Sequence, residues 1–280
     1  LPLFSRLVIE TTGLADPAPV IATLLHDPRL ARRFALAGVV TAVDASAGPG
    51  ALARREEALR QAALADRIVL TKTDLAEAAE ARAALEAALA RLNPAAPRLD
   101  AKAPSFDLRR LLDVQAFDPA ARSLDARAWL AAERVPAADA AQGHGHGHGH
   151  RHDHDPHDVN RHGPDIRAFC VTLDAPVPTE AFTTALELLI SRAGPALLRL
   201  KGVVRLAEKP ETPVVIHGVG HVFHDPLILP DWPDADRRTR LVLVAEGLDP
   251  AEVDAFFRAW SAPGGARAEH RPSPPSTPGA

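Results

Sequence analysis

Two short motifs carry side chains able to do chemistry. Glu10-Thr11-Thr12-Gly13 sets a carboxylate at the end of an apolar run and a glycine three residues on. A carboxylate placed so can hold Mg²⁺, directly or through water. The glycine lets a backbone N–H come close to a terminal phosphate. Further along stands Thr71-Lys72-Thr73-Asp74, again at the end of an apolar run and before a helical segment. Guanine offers two adjacent donors, N1–H and the N2 amine, and one carboxylate such as that of Asp74 accepts both. Adenine would leave that carboxylate unpaired, so a site built this way discriminates. Lys72 would lay its aliphatic stem along the base. An alternative role for Asp74 is to cap the helix beginning near Leu75. An ExxG tip followed by a strand ending in [N/T]KxD is the order of parts used in phosphoryl-transfer switches.

A third group is the histidine tract. His144, His146, His148, His150, His152, His154, His157 and His162 alternate largely with glycine and aspartate. Neutral imidazole ligates Zn²⁺, Co²⁺ and Ni²⁺. Glycine keeps the tract compliant, which suits several weak, exchanging sites, and binding fades as imidazole protonates below roughly pH 6.5. The alternative is a low-complexity linker with incidental metal affinity. His217, His221 and His224 could converge on a metal, but they straddle a strand and a turn and the ordinary reading is preferred; Cys170 reads as a packed small side chain, and Asp44 as a strand terminus near the nucleotide or a cap.

The elements needed to position these groups follow from periodicity. Apolar runs at residues 6–9, 38–43 and 67–70 end in Glu10, Asp44 and Thr71, as buried strands of a parallel sheet do. Segments 17–25, 51–64 and 77–92 have helical spacing, with Leu85, Leu89 and Leu92 on one face. Strands alternating with helices give an α/β sheet whose ligands sit at the carboxyl ends of the strands. After a His-rich stretch, segments 166–173, 179–192, 196–206, 214–217, 240–244 and 250–260 predict a small α+β domain of order β-α-β-β-β-α. The expected division is 1–132, a linker at 133–164, a second domain at 165–260 and a disordered tail at 261–280.

Composition narrows the class. With 46% hydrophobic and 24% charged residues the chain can bury a core, and its net charge of −4 argues against nucleic acid or an anionic membrane as partner. One cysteine excludes an internal disulfide framework. No apolar run is long enough to span a bilayer and no signal peptide opens the sequence, so a cytoplasmic location is expected. Methionine is absent even at position 1, and the expectation is that this is the C-terminal part of a longer protein.

Residues 7–20 (LVIETTGLADPAPV) and 61–75 (QAALADRIVLTKTDL) resemble the Walker-B/switch and base-recognition segments of the CobW-type metallochaperone GTPases. Leu92-Asn93-Pro94 resembles the short loop that completes their guanine pocket, and residues 197–203 (LLRLKGV) and 213–219 (PVVIHGV) resemble their C-terminal domain. The resemblance implies a P-loop NTPase-like, mostly parallel sheet followed by the small α+β domain. The family's GxxGxGKT P-loop and Cys-x-Cys-Cys metal motif do not occur in these residues. They are expected upstream together with the first strand, so nucleotide affinity is expected of the intact protein rather than of this stretch. Thr71 stands where the family usually has Asn; a hydroxyl replaces one of the amide's hydrogen bonds, and guanine preference is expected to survive through Asp74.

The implied function is a GTP-hydrolysing metal chaperone that hands Zn²⁺ or Co²⁺ to a client metalloprotein. GTP/GDP and Mg²⁺ are the implied cofactors. Glu10 is the implied Mg²⁺-side carboxylate and Gly13 the γ-phosphate sensor. Thr71, Lys72, Thr73, Asp74 and Asn93 make the implied base pocket. Two alternatives stand beside it: a passive His-rich metal buffer without nucleotide activity, and a client-docking module in which the second domain alone works.

Overall fold

The computed structural model describes residues 4–112 and 165–261. Its first half contains α1 (Ala18–His26), α2 (Pro28–Ala31), β1 (Val40–Asp44), α3 (Gly48–Arg54), α4 (Glu56–Leu64), β2 (Arg67–Thr71), α5 (Ala76–Leu92), β3 (Arg98–Asp100) and α6 (Arg109–Leu112). The strands form a parallel sheet in the order β1-β2-β3, with Asp44 opposite Thr71 and Leu70 opposite Asp100. Each crossover is helical, as parallel pairing requires. β2 is buried along Ile68, Val69 and Leu70, and α5 lays Leu85, Leu89 and Leu92 into the same core. Each such leucine contributes about 1.5–3 kcal/mol through the surface it removes from water.

The second half contains β4 (Ile166–Leu173), α7 (Thr179–Ala193), β5 (Leu197–Val204), β6 (Val214–Val219), β7 (Val222–Phe223), β8 (Leu227–Ile228), β9 (Thr239–Glu246) and α8 (Pro250–Ser261). Its sheet is antiparallel, in the order β4-β9-β5-β6-β7, with β8 paired to β6. One face carries α7 and α8, packed through Phe182, Leu189, Phe256, Phe257 and Trp260. The other face presents Ile166, Ala168, Leu198, Val219 and Val244 to the first half's helices, in one core with Leu64 and Leu85. That double cover explains why β5 and β9 are buried almost end to end rather than alternating.

Three expectations are corrected. Residues 4–10 form no strand, and Phe4, Leu7, Val8 and Ile9 are between 49% and 72% exposed. An apolar run becomes a buried strand only when a neighbour accepts its backbone hydrogen bonds, and among the described residues β1 pairs with β2 alone. The helix expected at 51–64 is two helices broken at the extended Arg55. Gly48 lets α3 approach α5, because a Cβ there would lie 3.0 Å from Val43 and 3.1 Å from Leu85. Cys170 is exposed rather than packed, because the Cys170/Thr172 face of β4 runs beyond the first half's cover. The short strands β7 and β8 add to the expected order. The tract at 144–162, the 133–164 linker and the 262–280 stretch lie outside the described residues.

Candidate functional site

The carboxyl ends of the three parallel strands gather a small charged cluster. β1 ends in Asp44, whose Oδ1 accepts the Ser46 N–H (2.9 Å), the Ser46 hydroxyl (2.8 Å) and the Ala47 N–H (3.1 Å). Its Oδ2 pairs with Lys72 Nζ at 2.7 Å. The Lys72 ammonium foremost, then the Ala47 N–H and the Ser46 contacts, hold the Asp44 carboxyl far below the usual carboxylate range. Lys72 adopts a left-handed backbone, φ 56°, which costs a residue with a Cβ about 1 kcal/mol and is kept only where surroundings enforce it. The turn redirects the chain after β2, so that Thr73 and Asp74 face the end of β3. Thr73 donates its hydroxyl to Asp100 Oδ1 (2.6 Å), and Asp74 Oδ2 pairs with Lys102 Nζ (3.3 Å). The Thr73 hydroxyl first, then the Lys102 N–H and Arg82, lower the Asp100 carboxyl.

Asp74 does not cap α5: that helix starts from Leu75 without a side-chain cap. The carboxylate instead stands half-exposed at the sheet's edge beside one lysine. Asp100 and Lys102 are members of this cluster that sequence reasoning missed. A strand of only three residues, one of them Arg98, carries too little periodicity to announce its tip.

Glu10 and Gly13 are held elsewhere. Gln61 Nε2 donates to the carbonyls of Gly13 (3.2 Å) and Ala15 (2.8 Å), while the Gln61 backbone carbonyl accepts the hydroxyl of Thr41, near the start of β1. The segment is therefore tied beside the amino half of β1. Glu10 is exposed, and no hydrogen bond or ion pair joins it or Gly13 to Asp44, Lys72 or Asp74 among the described residues. The two motifs are not brought together, because the strand that would carry Glu10 to the carboxyl edge is unformed.

Asn93 lies apart from this cluster. Its side chain is buried and donates to the carbonyls of Ala62 (2.9 Å), Ala63 (3.1 Å) and Ala65 (2.8 Å), while its oxygen accepts the Ala96 N–H (3.2 Å). It ties the end of α5 to the entry of β2, the strand end opposite Asp74. The position resembles a loop in sequence but works as an internal clasp.

Comparison with known proteins agrees with this two-part architecture. Residues 2–100 match the CobW/HypB/UreG nucleotide-binding domain, and residues 166–260 match the cobalamin synthesis protein cobW C-terminal domain. The chain is 30% identical over 254 residues to the zinc chaperone YjiA of Escherichia coli strain K12, spanning 91% of this chain and 70% of that protein. This chain belongs to the CobW family. A shorter match, 30% identity over 116 residues, is to the zinc-regulated GTPase metalloprotein activator 1 of Schizosaccharomyces pombe, covering 41% of this chain and 28% of that protein. The crystal structure of the Zn(II)-bound YjiA GTPase superposes with a TM-score of 0.64 at 26% identity, over 89% of this chain and 69% of that one.

In this CobW-family chain the two halves are joined by buried charge as well as by apolar contact. Arg199 of β5, 5% exposed, donates to the Leu64 carbonyl and to Asp66, and Lys201 Nζ reaches the same Asp66 oxygen at 3.0 Å. The second Asp66 oxygen accepts the Val39 N–H at 2.9 Å. Burial pushes the Asp66 carboxyl up, but Arg199 and Lys201 together overcome it and hold it well below the usual range. Close by, burial foremost, with Lys201 and Arg199 adding, holds His217 well below the usual imidazole value. Among the described residues its buried Nε2 has no hydrogen-bond partner, and its ring stacks on His224 at 4.8 Å. Arg60 of α4 pairs with Glu246 of β9 at 2.7 Å. Asp66 lies just before β2, so the strand that ends in the base motif starts at the junction with the second half. No three histidine, cysteine, aspartate or glutamate side chains gather as a metal site among the described residues, and no helix among them is long and apolar enough to cross a membrane.

Proposed function

We propose that this chain serves a GTP-dependent metal chaperone, in which GTP is bound and hydrolysed and a divalent metal, zinc or cobalt, is delivered to a client metalloprotein. The observation that carries the reading is the cluster at the carboxyl ends of β1–β3, in a chain 30% identical to a zinc chaperone over 91% of its length. Asp74 offers an exposed carboxylate paired with an exposed lysine, so the two donors of a guanine can take it at small cost. Lys72, anchored at its ammonium by Asp44, would lay its methylenes along the base plane. Thr73 and Asp100 brace the two loops against each other.

Mg²⁺ takes one or two carboxylates and completes its octahedron from water and phosphate oxygens, and the exposed Glu10 would serve as one such ligand once its segment moves to the strand ends. When bound, the ion neutralises charge on the transferring phosphate. Gly13 would bring its backbone amide to the terminal phosphate, and the Gln61 bonds to the 13–15 carbonyls are the contacts that must loosen for that approach. The histidine tract at 144–162 would collect the metal, and the second half would meet the client. The proposed division follows the two sheets, with the tract between them.

The test is Asp74→Asn in the intact protein. An amide opposes one of guanine's two donors with a donor of its own, so fluorescent GDP should bind more weakly by about 3 kcal/mol, roughly a hundredfold. Xanthine carries a carbonyl where guanine has its amine, so the same variant should gain affinity for xanthosine diphosphate. Unchanged GDP affinity together with no gain for xanthosine diphosphate overturns the base-reading role and leaves the tract as a passive metal buffer.

A further inference from the structure

We infer that His26 and His221 form a divalent transition-metal site that clamps the two halves of the chain together. His26 ends α1, the helix that follows the Glu10–Gly13 segment. His221 sits in the two-residue turn between β6 and β7, where Val219 pairs with Val222. The two rings meet with centroids 5.2 Å apart and planes tilted by 32°.

That separation matches the one a shared ion would set. With metal–nitrogen bonds of about 2.0–2.1 Å and a ring centroid about 1.2 Å beyond the nitrogen, a tetrahedral angle sets two imidazole centroids about 5 Å apart. Both backbones are fixed before any ion arrives. Asp27 closes α1 by donating its N–H to the Thr23 carbonyl at 3.1 Å. Gly220, at φ 58°, supplies the left-handed residue of the turn, and its N–H donates to the Leu198 carbonyl at 2.9 Å. Only the imidazole torsions need adjust, and the outer one is soft. Both side chains are exposed, so an ion reaches them from solvent.

The donor set selects the ion class. Two neutral imidazoles suit Zn²⁺, Co²⁺, Ni²⁺ or Cu²⁺ and discriminate against Mg²⁺ and Ca²⁺, which prefer oxygen. Among the described residues no third protein ligand joins the pair, so water completes the shell. The site exchanges metal and differs from a permanent structural zinc, which is closed by four protein ligands. An occupied site fastens α1 to the second half and so links metal supply to the segment that α1 leads out of. It is distinct from the histidine tract and does not depend on the proposed nucleotide reading.

The experiment is peptide-resolved carbethoxylation of histidine on the full chain, with Zn²⁺ titrated as the metal alone. A coordinated imidazole does not react, so at free Zn²⁺ about ten times the dissociation constant both residues should slow by about tenfold, with one shared midpoint. His26→Ala should return His221 to its metal-free rate at that Zn²⁺ concentration, and His221→Ala should do the same for His26. Both substitutions are on the surface, and circular dichroism checks the fold. A chain with the tract histidines at 144–162 replaced by alanine should keep the shared midpoint. Protection of either residue that persists without the other, or no response of either to Zn²⁺, overturns the site. These readouts move independently of GDP affinity, so their failure leaves the Asp74 test standing.

Discussion

Asp66→Asn removes one charge at the joint between the two halves and changes little else. The native carboxylate, 14% exposed, serves Arg199, Lys201 and the Val39 N–H at once. An amide keeps the shape but leaves the 5% exposed Arg199 facing a neutral group. Leaving one member of a buried pair uncompensated costs about 3–5 kcal/mol, a large part of the roughly 5–15 kcal/mol that holds typical domains folded. At a urea slope of about 2 kcal/mol per molar, the midpoint should fall by about 2 M. Urea unfolding at pH 7, followed by circular dichroism, measures this, and Arg199→Met completes a double-mutant cycle. In the chain already carrying Asp66→Asn, Arg199→Met should cost less than in the native chain by about 1–3 kcal/mol, because its partner has already gone. The Asp66 carboxyl titrates lower when folded than when unfolded. Its contribution is therefore whole above the unfolded value of about 3.9 and is lost as pH falls through the depressed folded value. A midpoint within about 0.25 M of native, with additive effects of the two substitutions, would refute an energetic role for this joint.

Two further outcomes are expected. Asn93→Ala withdraws the donor shared by the Ala62, Ala63 and Ala65 carbonyls and should destabilise by about 2–4 kcal/mol in urea unfolding. GDP affinity measured well below the unfolding midpoint should stay native, since the residue lies at the far end of β2. His217 is kept neutral when folded, so the unfolded chain binds the extra proton. Stability should therefore fall by up to about 1.4 kcal/mol per unit as pH drops below the unfolded value of about 6.5. His217→Gln should flatten the slope between about pH 6.5 and 5, and an unchanged slope would assign it to other groups.

Much of the architecture is legible from the order of residues alone. Val40–Asp44, Arg67–Thr71 and Ile166–Leu173 are strands because their side chains are apolar in unbroken or alternating runs. Ala76–Leu92 is a helix because Leu85, Leu89 and Leu92 recur at its turn. Local periodicity encodes which face is buried, and the polar residue closing each run marks the strand end where a ligand can sit. Thr71–Asp74 stands out for that reason. The family's two domains are legible on the same grounds, as successive segments that each carry their own pattern.

What the pattern leaves undecided is every relation that needs a partner far along the chain. Asp66 and Arg199 are 133 residues apart, and neither has a local feature that names the other. Asn93 reads as a loop residue until packing turns its amide inward onto three carbonyls. Residues 6–9 have the composition of a strand, yet pairing decides whether they form one, because a β-strand's hydrogen bonds belong to its neighbour. Composition fixed what each segment could bury; tertiary contact chose which charges meet, which rings face each other across the joint, and which apolar edge stays open.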